Sequence, residues 1–437
     1  MGARRAPARA RPALRSPFAP EADEGSPRYY GWLAVGLTFL TMATGGAVVG
    51  TFSVFYVAFL REFGWSRADT ALGFSFSMVT FALSAGPIGW LIDRWGPRAV
   101  IPCGVAVLGA GLALMSTVRS LHALYLYYGV VVALGVTLIG FVPTSTVVSR
   151  WFRRLRATAL GVALSGRSVG GMVLVPLSAF LIKAYGWRAA YLLLAAGITA
   201  LLLPLTIAFH RAPPSREGPP ASPGAGGAGQ GLGSAAFWFV FLAGLFHGVG
   251  FSIVGLHQVA HMVDRGLSTL TAASLIGFLA ALRTLGGVGG GWAGDRLGRT
   301  AAYFASCAMS LVGVLLLMGA SGERWYLAYL YVVFLGLGEG ARGIMFLSLK
   351  ADLFPAKSFG RVLGFSQVGA GLAAAVGPWL AGYIHDAMGN YRYAFWIVVI
   401  VDALSIAAVA AAALRPATSS VEAGPAGARG PRPASSP

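Results

Sequence analysis

An all-α membrane protein of twelve transmembrane helices, arranged as two pseudo-symmetric six-helix bundles, is the fold class that three observations in the sequence predict. The first is composition. Of 437 residues, 56% are hydrophobic and 11% charged, whereas soluble globular domains carry roughly 25% charged residues. The second is a duplication: Gly89-Trp90-Leu91-Ile92-Asp93-Arg94-Trp95-Gly96-Pro97-Arg98 returns as Gly291-Trp292-Ala293-Gly294-Asp295-Arg296-Leu297-Gly298-Arg299-Thr300, with one common offset of 202 residues. A matched pair of loops at that spacing marks a repeated unit. The third is a stretch at 212–234 made mostly of Pro, Gly, Ser and Ala, flexible-linker chemistry that divides the chain in two.

Segments of about 20 apolar residues span a bilayer. They fall at 31–59, 70–92, 99–118, 122–149, 157–182, 189–209, 235–261, 269–293, 301–320, 325–349, 362–385 and 393–414. The expected order is a basic tail over 1–28, a first bundle over 29–211, the linker over 212–234, a second bundle over 235–414 and a second tail over 415–437. Both tails have little to bury and are expected to be disordered. The net charge of +18 would point to nucleic acid in a soluble protein. Here the bases are dispersed between apolar runs, so no nucleic-acid partner is expected. With both termini in the cytoplasm, about two thirds of the Lys and Arg residues fall on that side and about a quarter outside, the positive-inside asymmetry of a multi-pass protein of the inner (plasma) membrane.

Span 1 starts at Tyr29-Tyr30-Gly31-Trp32, aromatics suited to the membrane interface, and its polar residues Thr38, Thr41 and Thr44 are uncharged. Each Asp-Arg loop is expected to set an acid beside the N-terminal dipole of the next helix. Span 4 runs into the basic cluster Arg150-Trp151-Phe152-Arg153-Arg154-Leu155-Arg156, a cytoplasmic orientation signal. Span 5 carries Gly161, Gly166, Gly170 and Gly171, small residues that let helices approach closely in lipid, then Pro176, which is expected to kink it. Pro378 and Leu353-Phe354 repeat Pro176 and Trp151-Phe152 at the offset of 202. Cys103 and Cys307 lie in apolar spans and imply neither a disulfide framework nor a metal site. His257 and His261 have the i, i+4 spacing of metal ligands, but no third ligand stands near them in sequence.

The repeat, the linker and the loops together resemble the major facilitator superfamily, whose loop signature between spans 2 and 3 reads G-x-L-x-D-R-x-G-x-R. Gly89, Leu91, Asp93, Arg94, Gly96 and Arg98 match it fully, while the second copy keeps Gly291, Asp295, Arg296 and Gly298 but has Ala293, Gly294 and Thr300 where other residues are usual. The likeness covers nearly all of 30–414. It implies a secondary transporter in which two bundles rock about a midplane site, with spans 1, 4, 7 and 10 lining the cavity and 2, 5, 8 and 11 flanking it. Within the superfamily, Tyr30-Gly31-Trp32, the Arg-rich start of span 5 and an arginine in span 8 are similar to bacterial relatives of the monocarboxylate transporters and oxalate:formate antiporters. Arg283 stands one helical turn farther from the loop acid Asp295 than in those families, and Leu279 replaces an acid usual in the animal transporters.

Three arginines remain inside spans: Arg167, Arg283 and Arg342. A charge at the bilayer centre costs at least ~2.5–3.5 kcal/mol on insertion scales, so its retention points to a function. At 1.5 Å per residue they lie about 16, 18 and 12 Å from the cytoplasmic ends of their helices, near the middle of a core about 30 Å thick. Their counterparts in the other half are Ala370, Phe81 and Gly140. A scaffold charge would recur in both copies, so all three are expected to bind substrate, Arg283 as the principal carboxylate partner through its fork of donors. The competing reading is an ion pair that locks helices, strongest for Arg342, which follows Glu339 by one turn. That pair also offers proton coupling, because a substrate carboxylate that took over Arg342 would leave Glu339 to bind a proton. His247, near mid-depth in span 7, is the second coupling candidate, since imidazole titrates near neutral pH. Asp402, in peripheral span 12, is expected to serve a structural hydrogen bond.

The sequence holds no Gly-rich phosphate loop, catalytic triad or cleft carboxylate pair, so neither an enzyme nor an ATP-driven pump is expected, and no cofactor or metal. The expected function is alternating-access transport of a small organic anion, a mono- or dicarboxylate, with protons, by a monomer in the lipid bilayer. A carrier of inorganic anions such as nitrate or nitrite is the nearest alternative. A non-transporting membrane sensor would need a folded signalling domain, for which the tails and linker are too short and simple.

Overall fold

The structure, a computed structural model, describes residues 24–26, 29–152, 154–209, 234–354 and 356–413. The expected disorder of the two tails and the flexible linker fall outside the described residues, save for Glu24–Ser26 and Ser234. Among the described residues the chain forms twelve helical rods. The first half supplies α1 (Tyr30–Phe63), α2 (Arg67–Trp95), α3 (Pro97–Met115), α4 (Leu121–Trp151) and the long run Arg156–Phe209, which breaks at Gly186 into α5 (156–185) and α6 (187–209). The second half supplies α7 (Ala235–Asp264), α8 (Thr269–Leu297), α9 (Arg299–Gly319), α10 (Trp325–Leu353), α11 (Ala356–Met388) and α12 (Arg392–Ala413). Ten helices, the run containing α5 and α6 counted as one, are long and apolar enough to cross a membrane.

The rods run past the apolar windows, because a window detects hydrophobicity whereas the backbone hydrogen-bond ladder continues into polar flanks. Connections shrink accordingly, to the single residues Gly96, Gly186 and Gly298 in three hairpins. Gly64, Gly96 and Gly186 hold φ of 63°, 75° and 79°, and Gly266, Gly298 and Gly389 hold 96°, 88° and 73°. A side chain at such a φ meets its own backbone, which is why glycine occupies the same three corners of each half. At the Asp-Arg loops Asp93 and Asp295 fall in the last turns of α2 and α8, and no side chain caps α3 or α9. The expected acid-to-dipole contact is therefore absent there, since the loop is too short to carry the acid past its own helix.

Two further expectations are corrected. Span 4 is not one regular helix: a π turn at Tyr127–Val132 and a break at Gly140 interrupt it. The Gly129 carbonyl accepts from the Thr80 hydroxyl of α2 at 2.6 Å, and Tyr128 stacks on Phe52 of α1 with ring centroids 4.0 Å apart. A π turn is tolerated where such tertiary partners use the displaced groups. Tyr29 and Tyr30, in turn, are not interface anchors but 2% and 0% exposed. They pack on Trp151 and Phe152 at the α4–α5 joint, where the Tyr30 hydroxyl donates to the Phe209 carbonyl at 2.6 Å. A buried phenol needs an acceptor, and carbonyls left open at helix ends supply one. Glu24 braces the same joint, its carboxylate accepting from the Arg154 and Leu155 N–H groups at 3.0 and 3.1 Å.

Within each half, packing relies on small residues, since lipid offers helices no hydrophobic drive to associate. A Cβ on Gly170 would lie 1.9 Å from the Ala43 carbonyl oxygen, and one on Gly166 2.3 Å from that of Phe39, so α5 and α1 touch backbone to backbone. Thr38, Thr41 and Thr44 return their hydroxyl hydrogens to carbonyls of their own helix. Between the halves α2 packs on α11, α5 on α8 and α1 on α7, whereas α4 and α10 make no substantial contact among the described residues.

The halves are fastened at the end remote from the chain termini. Asp386 of α11 accepts from the first N–H groups of α2, Arg67 at 3.0 Å and Ala68 at 2.8 Å. A carboxylate at a helix N-terminus satisfies open donors and opposes the dipole; here it does so across the bundles. The Arg67 guanidinium adds bonds to Asp264 at 2.9 Å and Tyr391 at 2.7 Å, and His257 joins Tyr391 to the Pro378 carbonyl. Asp386→Ala is expected to weaken this closure by about 1 kcal/mol, the usual worth of a helix cap, or five- to tenfold in the open-to-closed ratio. Spin labels at positions 69 and 390, in a chain cleared of native thiols, would report a second, longer distance; an unchanged distribution would count against the latch. Gly170→Val is expected to destabilise by about 1–3 kcal/mol through overpacking, whereas Gly161→Ala, with nothing within 4 Å of the added carbon, is expected to leave thermal unfolding in detergent unchanged.

Candidate functional site

The seam between α5 and α8 carries two arginines that no acid among the described residues pairs with. Gly171 of α5 meets Ala280 of α8, with 3.4 Å from an added Cβ to the alanine methyl. About one turn from that crossing, on the termini side of each helix, stand Arg167 and Arg283, close enough for their charges to repel. Arg167 keeps exposed surface and lies over Gly46 of α1, where a Cβ would fall 2.3 Å from its Cγ. The matching crossing in the other half puts Gly248 of α7 against Ala370 of α11, 2.5 Å to the carbonyl, so Arg167 is an insertion of charge into an otherwise repeated contact. The Arg283 guanidinium lies 5.1 Å from the Phe251 ring centroid. Its Nε is buried without a hydrogen-bond partner, and no acid among the described residues pairs with it.

Arg342 has opposite surroundings. It is 2% exposed, and its guanidinium donates to Asp402 at 2.9 Å and to Ser405 at 3.0 Å on α12, with Glu339 at 3.7 Å. Ser405 passes its own hydrogen to the Ala243 carbonyl of α7. The expected role of Arg342 as a substrate partner is revised by this geometry: its charge is met inside the second bundle, where it ties α10 to α12. A buried arginine without such acceptors would be strongly unfavourable.

Both proton-coupling candidates sit in the same cluster. His247 of α7 places Nε2 3.6 Å from Glu339 and Nδ1 3.6 Å from Asp402, and its Nδ1 is buried without a hydrogen-bond partner. Two carboxylates therefore surround one arginine and one imidazole. The Phe251 ring, one turn along α7, lies 5.8 Å from the His247 ring and so neighbours both that cluster and Arg283. Phe251, Ser405 and the Tyr331–Gln258 hydrogen bond were not singled out in the sequence. The i, i+4 spacing of His247 and Phe251 was the one available signal.

The loop motifs lie apart from these charges. Arg94 covers Trp90 and Arg296 covers Trp292, at 5.4 and 4.5 Å from the ring centroids, so each copy builds the same cation–π contact. Asp93, Arg98 and Asp295 are exposed and have no ion-pair partner among the described residues. His257 and His261 each find a backbone carbonyl, of Pro378 at 2.8 Å and Leu317 at 3.0 Å, and join α7 to its neighbours.

Comparison with known proteins agrees with this architecture. A sequence model of the Major Facilitator Superfamily matches residues 32–321 and 240–436. Monocarboxylate transporter 13 of Bos taurus is 29% identical over 377 residues, covering 84% of this chain and 85% of its own length. Monocarboxylate transporter 11 of Homo sapiens is 28% identical over 387 residues, covering 84% and 79%. Among solved structures, a bacterial homologue of the human lysosomal transporter Spinster superposes in its inward-facing occupied form with a TM-score of 0.69 and in its inward-facing unoccupied form with 0.70. Each is 16% identical and covers 89% of this chain and 97% of the other. A multi-pass bundle with a duplicated hairpin signature, matched by the family's sequence model over most of its length, belongs to the Major Facilitator Superfamily of membrane transporters.

Proposed function

We infer that the chain carries a small organic anion, a mono- or dicarboxylate, across the inner membrane by alternating access, together with a proton. The observation that carries this reading is the pair Arg167 and Arg283, contributed by different bundles and paired with no carboxylate among the described residues. Two guanidinium groups that repel each other hold their helices together only when an anion lies between them, and a carboxylate accepts from both in bidentate fashion. Binding then favours closure around the guest, because the guest interacts better with the closed arrangement than with the open one. The similarity to monocarboxylate transporters supports the same substrate class.

The proton site in this reading is the His247, Glu339 and Asp402 cluster. With Arg342 charged and both acids ionised, the cluster lacks one positive charge, which a proton on His247 or Glu339 supplies. Phe251 relates the two sites, its ring lying 5.1 Å from the Arg283 guanidinium and 5.8 Å from the His247 ring. Both termini face the cytoplasm in this scheme, which makes the end fastened by Asp386 the external one, and a single copy suffices.

Arg283→Gln is expected to lower carboxylate uptake into proteoliposomes by at least about thirtyfold, the consequence of losing a desolvated charge partner worth about 2–5 kcal/mol. Uptake at the native rate would overturn the reading. Nitrate competing as well as lactate would move the substrate class to inorganic anions. His247→Gln is expected to abolish accumulation driven by a pH gradient while retaining counterflow exchange, and unaltered pH-driven accumulation would remove the cluster from the coupling scheme.

A further inference from the structure

The two halves repeat their backbone yet differ at their remote corners. Ser66 caps α2 through the Asp69 N–H, and Ser268, at the offset of 202, caps α8 through the Thr271 N–H. Counted from the hairpin glycines, Asp386 precedes Gly389 by three residues and Lys183 precedes Gly186 by three. The corner where α11 gives α2 a carboxylate therefore corresponds to one where α5 offers α8 a cation. A groove of about 380 Å³ opens there, bordered by Thr269 and Leu270 of α8, Arg61 of α1 and Lys183 of α5. No acid lines it. The Thr269 and Leu270 N–H groups are the counterparts of the two that Asp386 receives, and they have no acceptor among the described residues. Glu62, the neighbouring acid, is engaged by Trp187 and Arg188.

Two bases and the positive end of a helix converge on one spot, which selects a carboxylate or phosphate group. The other corner of the molecule already holds such a group in the equivalent place. The groove does not end at the bases: its wall continues along α1 to Val54, two turns from Arg61, and along α5 past Ile182. A charged end with an apolar wall running towards the bilayer centre fits an amphiphile better than a free ion. We propose that this groove binds an anionic phospholipid, its headgroup phosphate on Arg61, Lys183 and the first turn of α8, and an acyl chain along the apolar wall. The lipid bridges the first bundle to α8 of the second and fastens this corner as Asp386 fastens the other.

Delipidated full-length protein titrated with phosphatidylglycerol or phosphatidylcholine, and followed by native mass spectrometry, tests this. Phosphatidylglycerol is expected to bind about tenfold more tightly, as two bases beside an anionic headgroup require. Both side chains are exposed, so Arg61→Gln with Lys183→Gln is expected to keep the fold and lose the preference, while Asp386→Asn keeps it. Equal binding of the two lipids by the native chain, or an undiminished preference in the double variant, would overturn the proposal. So would thermal stabilisation by inorganic phosphate equal to that by phosphatidylglycerol at the same concentration and lost in the double variant, which would assign the groove to a free anion.

Discussion

A guanidinium group held within a bilayer-spanning bundle must find negative charge, and the rest of this structure follows from where each one finds it. Arg342 finds it in the protein, on Asp402 with Ser405 beside it, and the result is a fixed joint between α10 and α12. Arg283 and Arg167 do not. Desolvation penalises a charge in either setting, so the difference lies in the compensation: permanent for one arginine, and in our reading supplied by a passing guest for the other two. Depth alone would not separate these cases, whereas burial follows the same division, Arg342 being buried while Arg167 keeps exposed surface.

The duplication turns the molecule into its own control. Corresponding crossings such as Gly46 with Arg167 and Gly248 with Ala370 share a backbone geometry while differing in one side chain. What repeats, the hairpin glycines, the tryptophan–arginine contacts of the two loops and the serine caps, belongs to folding and packing. What does not repeat breaks the symmetry in charge: two arginines at the α5–α8 seam, an acid–imidazole cluster confined to the second half, and a carboxylate latch at one remote corner facing a basic groove at the other. A transporter that must bind a polar guest at the interface of two like halves needs such asymmetry, because a symmetric apolar seam would only stay shut.

Closure at the remote end, with no substantial α4–α10 packing among the described residues, defines how the bundles are arranged. The interactions at the closed end are short, partly exposed and made by single residues, Asp386 on two N–H groups and Arg67 on Asp264 and Tyr391. Contacts of that kind are worth little individually and are readily exchanged for water. The backbone-to-backbone glycine contacts inside each half are not exchangeable in this way. Glycines also bring backbones together across the halves, Gly382 of α11 on Arg67 and Ala68 of α2 and Gly277 of α8 on Met172 of α5, so the seam closes by packing as well as by polar contacts.

The rods, their division into two like halves and the loop glycines Gly96 and Gly298 were legible in the sequence, because each rests on local properties: apolar run length and a repeated motif. The three intramembrane arginines, Glu339 and His247 were legible one by one for the same reason, since an ionisable group within an apolar run is visible by itself. The tertiary structure alone decided which of them are spoken for. Asp402 lies 60 residues from Arg342 and Asp386 lies 319 residues from Arg67, and no periodicity encodes pairings across such distances. The burial of Tyr29 and Tyr30, the π turn in α4 and the groove beside Lys183 were hidden likewise. Each depends on what a neighbouring helix brings to the spot, and that is fixed only when all twelve rods have packed.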